Sequence, residues 1–133
     1  MAFSWPVRVY WEDTDAGGVV YYANYLKFME RARSEWLRAF GFEQDVLRDA
    51  AGVVFVVRRV EIDYLSPVRF NEQIEASVCL HEMGRVSISV RQELMRGSDC
   101  LARAEVTLAC VDAVRFKPVK IPSPLLQALA QAT

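Results

Sequence analysis

The chain has 133 residues, of which 53% are hydrophobic, 11% aromatic and 25% charged. These proportions are typical of one globular domain that buries about two-thirds of its unfolded surface, and they exclude a disordered chain. Sixteen Lys and Arg against seventeen Asp and Glu leave a net charge of −1, which disfavours broad electrostatic binding to nucleic acid. We therefore expect a single domain over residues 1–133 in which any anion-binding site is local.

Hydropathy and cysteine usage predict a cytoplasmic protein without a transmembrane segment. The longest strongly apolar stretch, Gly52 to Val57, is far too short to span a bilayer, and residues 1–6 lack the basic and apolar regions of a signal peptide. Cys79, Cys100 and Cys110 are odd in number and lack C-x-x-C spacing, so we expect reduced thiols buried in strands. Nothing in this pattern indicates a metal site or a cofactor.

The first predicted elements are a strand and a long helix. Apolar residues alternate from Trp5 to Trp11, which indicates a strand, and Pro6 favours an edge position for it. From Asn24 to Phe40 the apolar residues recur every three or four positions, which predicts an amphipathic helix of about five turns. Asn24 is the expected N-cap and Gly41 the expected terminator. A second short helix is predicted over about residues 43–51.

The remainder of the chain alternates with period two. This pattern predicts four long strands, over about residues 54–64, 73–81, 85–94 and 100–112, with a hairpin turn at Gly84. Arg58 interrupts the first of them and indicates either a bulge or a subunit contact. Ser123 and Pro124 indicate the start of a short C-terminal helix. The order of elements predicts an α+β fold in which an antiparallel sheet curls around one central helix, a class that several small folds share.

The segment between the first strand and the long helix, Glu12 to Tyr25, reads EDTDAGGVVYYANY. It could be a polar turn with two capping carboxylates. A calcium loop is disfavoured because Gly17 replaces the fifth ligand and Asn24 replaces the closing Glu. The alternative is a catalytic loop, since glycines allow close backbone approach and a helix N-terminus offers free N–H groups beside the carboxylate.

Thioester hydrolysis requires little more than such a loop. The leaving thiol has a pKa near roughly 8.5 and needs less acid assistance than an amine, so one carboxylate can act as nucleophile or as base. The free N–H groups would stabilise the negative charge that develops on the carbonyl oxygen.

The same stretch also resembles a known family. Together with Arg8–Tyr10 before it and Leu26–Arg33 after it, the loop resembles the signature of hotdog acyl-CoA thioesterases. The similarity is greatest to the Tol-Pal-associated (YbgC-like) thioesterases and extends also to 4-hydroxybenzoyl-CoA thioesterase, and it covers essentially the whole chain. The resemblance implies a five-stranded antiparallel sheet wrapped around one long helix, with subunits that pair edge to edge as homodimers or homotetramers.

Carried over by position, the resemblance assigns catalytic roles to two residues of the loop. Asp15 takes the place of the catalytic aspartate, and the backbone N–H of Tyr22 would polarise the thioester carbonyl, while Gly17 and Gly18 shape the loop. Tyr22 stands where the commonest Tol-Pal-associated pattern has His, whereas the hydroxybenzoyl enzyme also has Tyr there. The acyl group expected from the resemblance is therefore either short-chain aliphatic or aromatic.

Basic residues outside the loop are candidates for binding the phosphates of CoA. The resemblance implies that Arg85, Arg115 and Lys117, with Lys120 near them, contribute at a subunit junction. The lone histidine, His81, lies near a strand end and is expected at the surface or rim rather than as the catalytic base. Trp5, Trp11 and Trp36 suit core or interface positions.

We therefore expect an acyl-CoA thioesterase that needs no cofactor. Two alternatives remain open at this point: hydrolysis of acyl groups carried on acyl carrier protein, and a non-enzymatic adaptor at the inner membrane in which Asp15 is only structural. A hotdog hydratase is disfavoured because no His lies near Asp15 or on the long helix.

Overall fold

The structure, a computed structural model, describes residues 3–131, so residues 1, 2, 132 and 133 of the expected domain lie outside the described residues. Two short helical turns lie between β1 and β2: a 3-10 turn at Trp11–Asp13 and a π turn at Leu47–Ala51 that continues α2. The main elements are β1 Phe3–Arg8, α1 Asn24–Ala39, α2 Gln44–Val46, β2 Val53–Tyr64, β3 Gln73–Met83, β4 Ser87–Arg96, β5 Asp99–Asp112 and α3 Ser123–Gln131.

The five strands form one sheet in the order β1-β3-β4-β5-β2, and every neighbouring pair is antiparallel. The predicted α+β fold with a five-stranded antiparallel sheet is confirmed. β1 lies at one edge, as Pro6 indicates, and β2 lies at the other. The register of β2 against β5 shifts between Val57 and Arg59, so the bulge predicted at Arg58 is present. The N–H of Gly84 donates to the carbonyl of Ser87 at 2.8 Å and closes the β3–β4 hairpin.

Helix α1 packs across β1, β3 and β4, and its apolar stripe fills the core. Phe28, Met29 and Ala32 are fully buried there because the spacing of three and four residues keeps them on one side of the helix. Helix α1 ends near Gly41, whose φ of +88° places it in the left-handed region and whose N–H donates to the carbonyl of Arg38. The predicted terminator is confirmed.

Two predictions from the alternating pattern are wrong. Trp11 does not extend the first strand: the strand ends at Arg8, and Trp11 lies in the 3-10 turn, 74% exposed, in edge contact with Phe70. Cys79 is exposed rather than buried, because it occupies the outward parity of β3 between the buried Val78 and the half-buried Leu80. Cys100 is half-buried and Cys110 is buried.

No helix within residues 3–131 has the length and apolar character that crossing a membrane requires.

Candidate active site

The loop between β1 and α1 folds back on itself as a small hairpin. The N–H of Tyr21 donates to the carbonyl of Asp13 at 3.0 Å, and the N–H of Asp15 donates to the carbonyl of Val19 at 2.9 Å. The turn is closed by the N–H of Gly18, which donates to the carbonyl of Asp15 at 3.1 Å. Asp15 therefore begins the turn at the tip of this hairpin.

The Asp15 carboxylate is held through one oxygen. Its Oδ1 accepts a hydrogen bond from the N–H of Gly17 at 2.8 Å, which is the geometry of an Asx turn. Within residues 3–131, Oδ2 accepts no hydrogen bond, and the residue is exposed. The polar-turn role considered from the sequence is thus real, and it leaves the second oxygen available for chemistry.

The two glycines serve different requirements of this turn. A Cβ at Gly17 would lie 3.2 Å from Asp15 Oδ1, so the close approach of the carboxylate depends on the missing side chain. Gly18 has open space around it but a φ of +80°, a conformation that L side chains rarely adopt.

The neighbouring carboxylate, Asp13, is buried and structural. Its Oδ2 accepts a hydrogen bond from the N–H of Tyr10 at 2.8 Å. Its carbonyl accepts a further bond, at 3.0 Å, from the side-chain amide of Asn24. Asn24 was predicted to be the N-cap of α1, and this is wrong: it is the first residue of the helix, and its side chain donates to the hairpin instead of accepting from the helix. The bond fixes the hairpin against the start of α1.

The residues just before α1 include a backbone N–H that has no acceptor within residues 3–131. The N–H of Asn24 donates to the carbonyl of Tyr21 at 2.8 Å, which begins the first turn. Two residues earlier, the N–H of Tyr22 has no acceptor among residues 3–131. An unpaired N–H at the positive end of a helix dipole can stabilise an oxyanion. One short segment therefore carries the Asp15 carboxylate, of which only Oδ1 is hydrogen-bonded within residues 3–131, and the unpaired backbone N–H of Tyr22.

Sequence reasoning missed Tyr64, at the end of β2. Its hydroxyl donates to the carbonyl of Tyr22 at 3.1 Å, and its ring makes edge contacts with Tyr22 and Tyr25 at centroid distances of 6.0 and 5.0 Å. Burial, followed by the neighbouring Tyr22 and Tyr25, raises the pKa of the Tyr64 phenol, so it remains a donor at neutral pH. The alternating pattern of β2 predicts only that Tyr64 lies in a strand, and it does not indicate the contact with Tyr22.

A buried polar pair beneath α1 was also missed. Gln92 is fully buried on β4; its Oε1 accepts from Arg33 at 2.9 Å, and its Nε2 donates to the carbonyls of Met29 and Ser77 at 2.9 and 3.2 Å. Burial lowers the pKa of Arg33, and Glu30 opposes that shift. The available signal was a Gln at an inward position between Val90 and Leu94. The pair joins α1 to strands β3 and β4 through buried hydrogen bonds.

The basic residues lie at the other end of the sheet. The hairpin of Asp15 contacts the β2–β3 connection, where the N–H of Val20 donates to the carbonyl of Val68. Arg85 lies beyond the far end of strand β3, whose 11 residues extend over about 35 Å. Arg115 and Lys117 are exposed near that same far end, since the N–H of Ile121 donates to the Arg85 carbonyl and that of Asp112 to the Lys117 carbonyl. One subunit therefore brings together Asp15, Gly17, Gly18 and Tyr22 but not Arg85, Arg115 and Lys117.

His81 lies on the outward face of β3 at the same far end. Its ring contacts the guanidinium of Arg91 at 3.1 Å, and its Nε2 lies 3.6 and 3.7 Å from the carboxylates of Glu82 and Glu105. The expected surface position is confirmed. Within residues 3–131 there is no group of three His, Cys, Asp or Glu side chains with metal-binding geometry.

The chain is similar to known proteins over most of its length. Residues 9–129 match the family described as the thioesterase-like superfamily. The acyl-CoA thioesterase YbgC of Haemophilus influenzae is 45% identical over 90% of this chain and 88% of its own length. The acyl-CoA thioester hydrolase YbgC of Escherichia coli is 42% identical over 97% of this chain and 96% of its own length.

Solved structures give the same result. The crystal structure of a probable thioesterase from Bartonella henselae superposes with a TM-score of 0.88 at 33% identity, over 92% of this chain and the whole of that one. The family match covers most of the chain, and both YbgC relatives share well over 30% of its residues. The chain therefore belongs to the thioesterase-like superfamily, and it is a thioesterase with the hotdog fold.

Proposed function

We propose that this chain, as one domain spanning residues 1–133, hydrolyses an acyl-CoA thioester to a free acid and CoA, with Asp15 as the catalytic carboxylate. The observation that carries the proposal is the Asp15 carboxylate, anchored through Oδ1 by Gly17 and unbonded at Oδ2, on the loop that leads to the free N–H of Tyr22. The YbgC proteins of Haemophilus influenzae and Escherichia coli are acyl-CoA thioesterases, which supports a CoA thioester as the substrate.

Two routes use the same groups. In the first, Asp15 Oδ2 attacks the thioester carbonyl and forms a mixed anhydride as the C–S bond breaks. CoA leaves as a thiolate that takes a proton from water. A second water then hydrolyses the mixed anhydride and restores the carboxylate. In the second, Asp15 accepts a proton from the water that attacks the carbonyl. In both, the carbonyl oxygen becomes negative and the Tyr22 N–H stabilises it. Both routes require the charge of Asp15.

The acyl group we propose is short-chain aliphatic or aromatic. Tyr22 and Tyr64 are 62% and 43% exposed, and Tyr21 lies beside them with its ring centroid 5.0 Å from that of Tyr22. Three accessible rings next to the loop suit a compact or planar acyl group, since aromatic faces bury large area with little loss of side-chain freedom. Acyl carrier protein presents the same pantetheine arm and is the comparison substrate.

The test is Asp15→Asn, assayed on a panel of short aliphatic, long aliphatic and aromatic acyl-CoAs. Loss of the charge should lower kcat at least about a hundredfold while the protein stays folded. Asp13→Asn is the matched control, because an Asn oxygen can still accept from the N–H of Tyr10 and most of the rate should remain. Tyr22→Phe should also retain most of the rate, since we assign the role to the backbone N–H. A folded Asp15→Asn protein as active as the wild type would refute the mechanism, whereas a wild-type protein with no turnover on any acyl-CoA of the panel would favour the adaptor hypothesis.

We further propose that the CoA phosphates bind Arg85, Arg115 and Lys117 of a second copy of this chain. Strand β2 supports this, because it is a 12-residue edge strand. Its Val53 end pairs with β5 next to the loop that carries Arg115 and Lys117, while its Tyr64 end contacts Tyr22. Antiparallel pairing of two copies along β2 reverses one strand, so the cations of one copy come beside the Asp15 loop of the other.

Complementation in mixed dimers tests this arrangement. The Arg115→Ala/Lys117→Ala variant should raise KM for acyl-CoA more than it lowers kcat, because phosphate binding is remote from the reacting carbon. When the Arg115→Ala/Lys117→Ala protein is mixed with the Asp15→Asn protein, activity should recover at substrate concentrations below KM. Each mixed dimer then contains one intact site, with Asp15 from one copy and the cations from the other. No recovery, or a stable monomer in sedimentation equilibrium at micromolar concentration, would contradict the two-copy site.

A further inference from the structure

Immediately before α1 lies a second backbone donor that is unpaired within residues 3–131. The N–H groups of Asn24, Tyr25 and Leu26 donate to the carbonyls three residues earlier, at 2.8, 3.3 and 3.2 Å. Like the N–H of Tyr22, the N–H of Ala23 has no acceptor among residues 3–131. Two consecutive free N–H groups at a helix start can bind one oxygen together.

The peptide unit that carries the Ala23 N–H is held from its other side. The carbonyl of that unit belongs to Tyr22, and it accepts both the N–H of Tyr25 at 3.3 Å and the hydroxyl of Tyr64 at 3.1 Å. Because a peptide unit is planar, fixing the carbonyl also fixes the direction of the N–H. A donor bound to the carbonyl polarises the unit and strengthens its N–H as a donor.

The Tyr64 ring is itself fixed by buried structure. It makes an edge contact with Tyr25, whose side chain is 4% exposed and whose hydroxyl accepts the N–H of Val68 at 3.1 Å. The position of the Tyr64 hydroxyl is therefore set by the core and by the β2–β3 connection rather than by solvent.

We propose that Tyr64 is a positioning residue for hydrolysis: through the Tyr22 carbonyl its hydroxyl orients and polarises the Ala23 N–H, which joins the Tyr22 N–H in stabilising the thioester oxyanion. This inference rests on the proposed function, because the oxyanion forms only if the loop performs acyl transfer. Tyr64 does not take or give a proton, and the hydroxyl keeps its hydrogen throughout.

The first experiment is kinetic. Tyr64→Phe removes the hydroxyl and retains the ring contacts, so kcat should fall roughly five- to twentyfold with little change in KM, less than the loss expected for a direct oxyanion donor. Tyr10→Phe is the matched control, because the Tyr10 ring is 60% exposed and we assign its hydroxyl no role in the site, so its kcat should equal that of the wild type. Melting curves of both variants accompany the rates.

The second experiment measures polarisation directly. An acyl-CoA labelled with ¹³C at the carbonyl is bound to Asp15→Asn and to Asp15→Asn/Tyr64→Phe, and the carbonyl band is recorded by difference infrared spectroscopy. Loss of the Tyr64 hydroxyl should move the band to higher wavenumber, towards that of free substrate, which a merely structural role would not do. An unmoved band, or a Tyr64→Phe enzyme with wild-type kcat, would overturn the role of Tyr64. Full activity of Asp15→Asn would instead refute the role of Asp15, and a wild-type protein that hydrolyses no acyl-CoA would refute the proposed function.

Discussion

Replacing Gln92 by Leu tests whether the buried amide fixes α1 on the sheet. Gln92 is 0% exposed and makes three hydrogen bonds, one of them with the guanidinium of Arg33, which is 8% exposed. A hydrogen bond to a charged group contributes about 1.5–3 kcal/mol, and the cation left behind keeps its desolvation cost. We expect Gln92→Leu to lower the free energy of unfolding by about 3 kcal/mol, equivalent to a fall in Tm of about 10 °C for a domain of this size.

The assay is urea unfolding of four proteins at one protein concentration: wild type, Gln92→Leu, Arg33→Met and the double variant. Replacing both polar groups by apolar ones of similar volume removes the unpaired cation as well as the amide, so the double variant should recover most of the stability lost in Gln92→Leu. A Gln92→Leu protein within about 0.5 kcal/mol of wild type, or a double variant with additive losses, would refute the reasoning.

Two further predictions concern the Asp15 loop and the cysteines. Gly17→Ala should lower kcat with little effect on Tm, because its Cβ would press on the Asp15 carboxylate. Gly18→Ala should instead lower the free energy of unfolding by about 1 kcal/mol, because its φ lies in the left-handed region. Rates and melting curves of the two variants separate these effects. A thiol reagent should modify the exposed Cys79 promptly in the native protein and the buried Cys110 only on unfolding. Burial raises the pKa of the Cys110 thiol and so lowers its thiolate fraction at any given pH. Mass spectrometry after brief labelling between pH 7 and 9 checks this prediction, and equal labelling rates would contradict it.

Much of the fold could be predicted from the sequence because its hydrophobic periods are regular. The strands and α1 fall close to the predicted ranges, and the bulge at Arg58 interrupts the alternation where the register shifts. The prediction failed at Trp11 because parity continues through residues that are no longer in a strand, so alternation alone cannot show where the backbone turns. Cys79 was misplaced because an apolar side chain was assumed to point inward, against its own parity.

The candidate site was predictable only where it is local. Asp15, Gly17, Gly18 and Tyr22 lie within eight residues, so a motif can carry them. Tyr64 reaches the carbonyl of Tyr22 from 42 residues away, through a sheet edge and a connection whose geometry no periodicity encodes. Contacts of this kind depend on how the elements pack, which a single sequence does not state.

The two edges of the sheet differ in a way that limits how far the sheet can grow. Strand β2 presents 12 residues of edge backbone, whereas β1 presents six, with Pro6 among them. Pro lacks the N–H that an added strand would need, so β1 is a poor template for further pairing. The proposed pairing of two copies along β2 would use the long edge of each copy and leave two β1 strands on the outside. Such an assembly would be finite and would resist the edge-to-edge stacking that leads other open sheets to fibres.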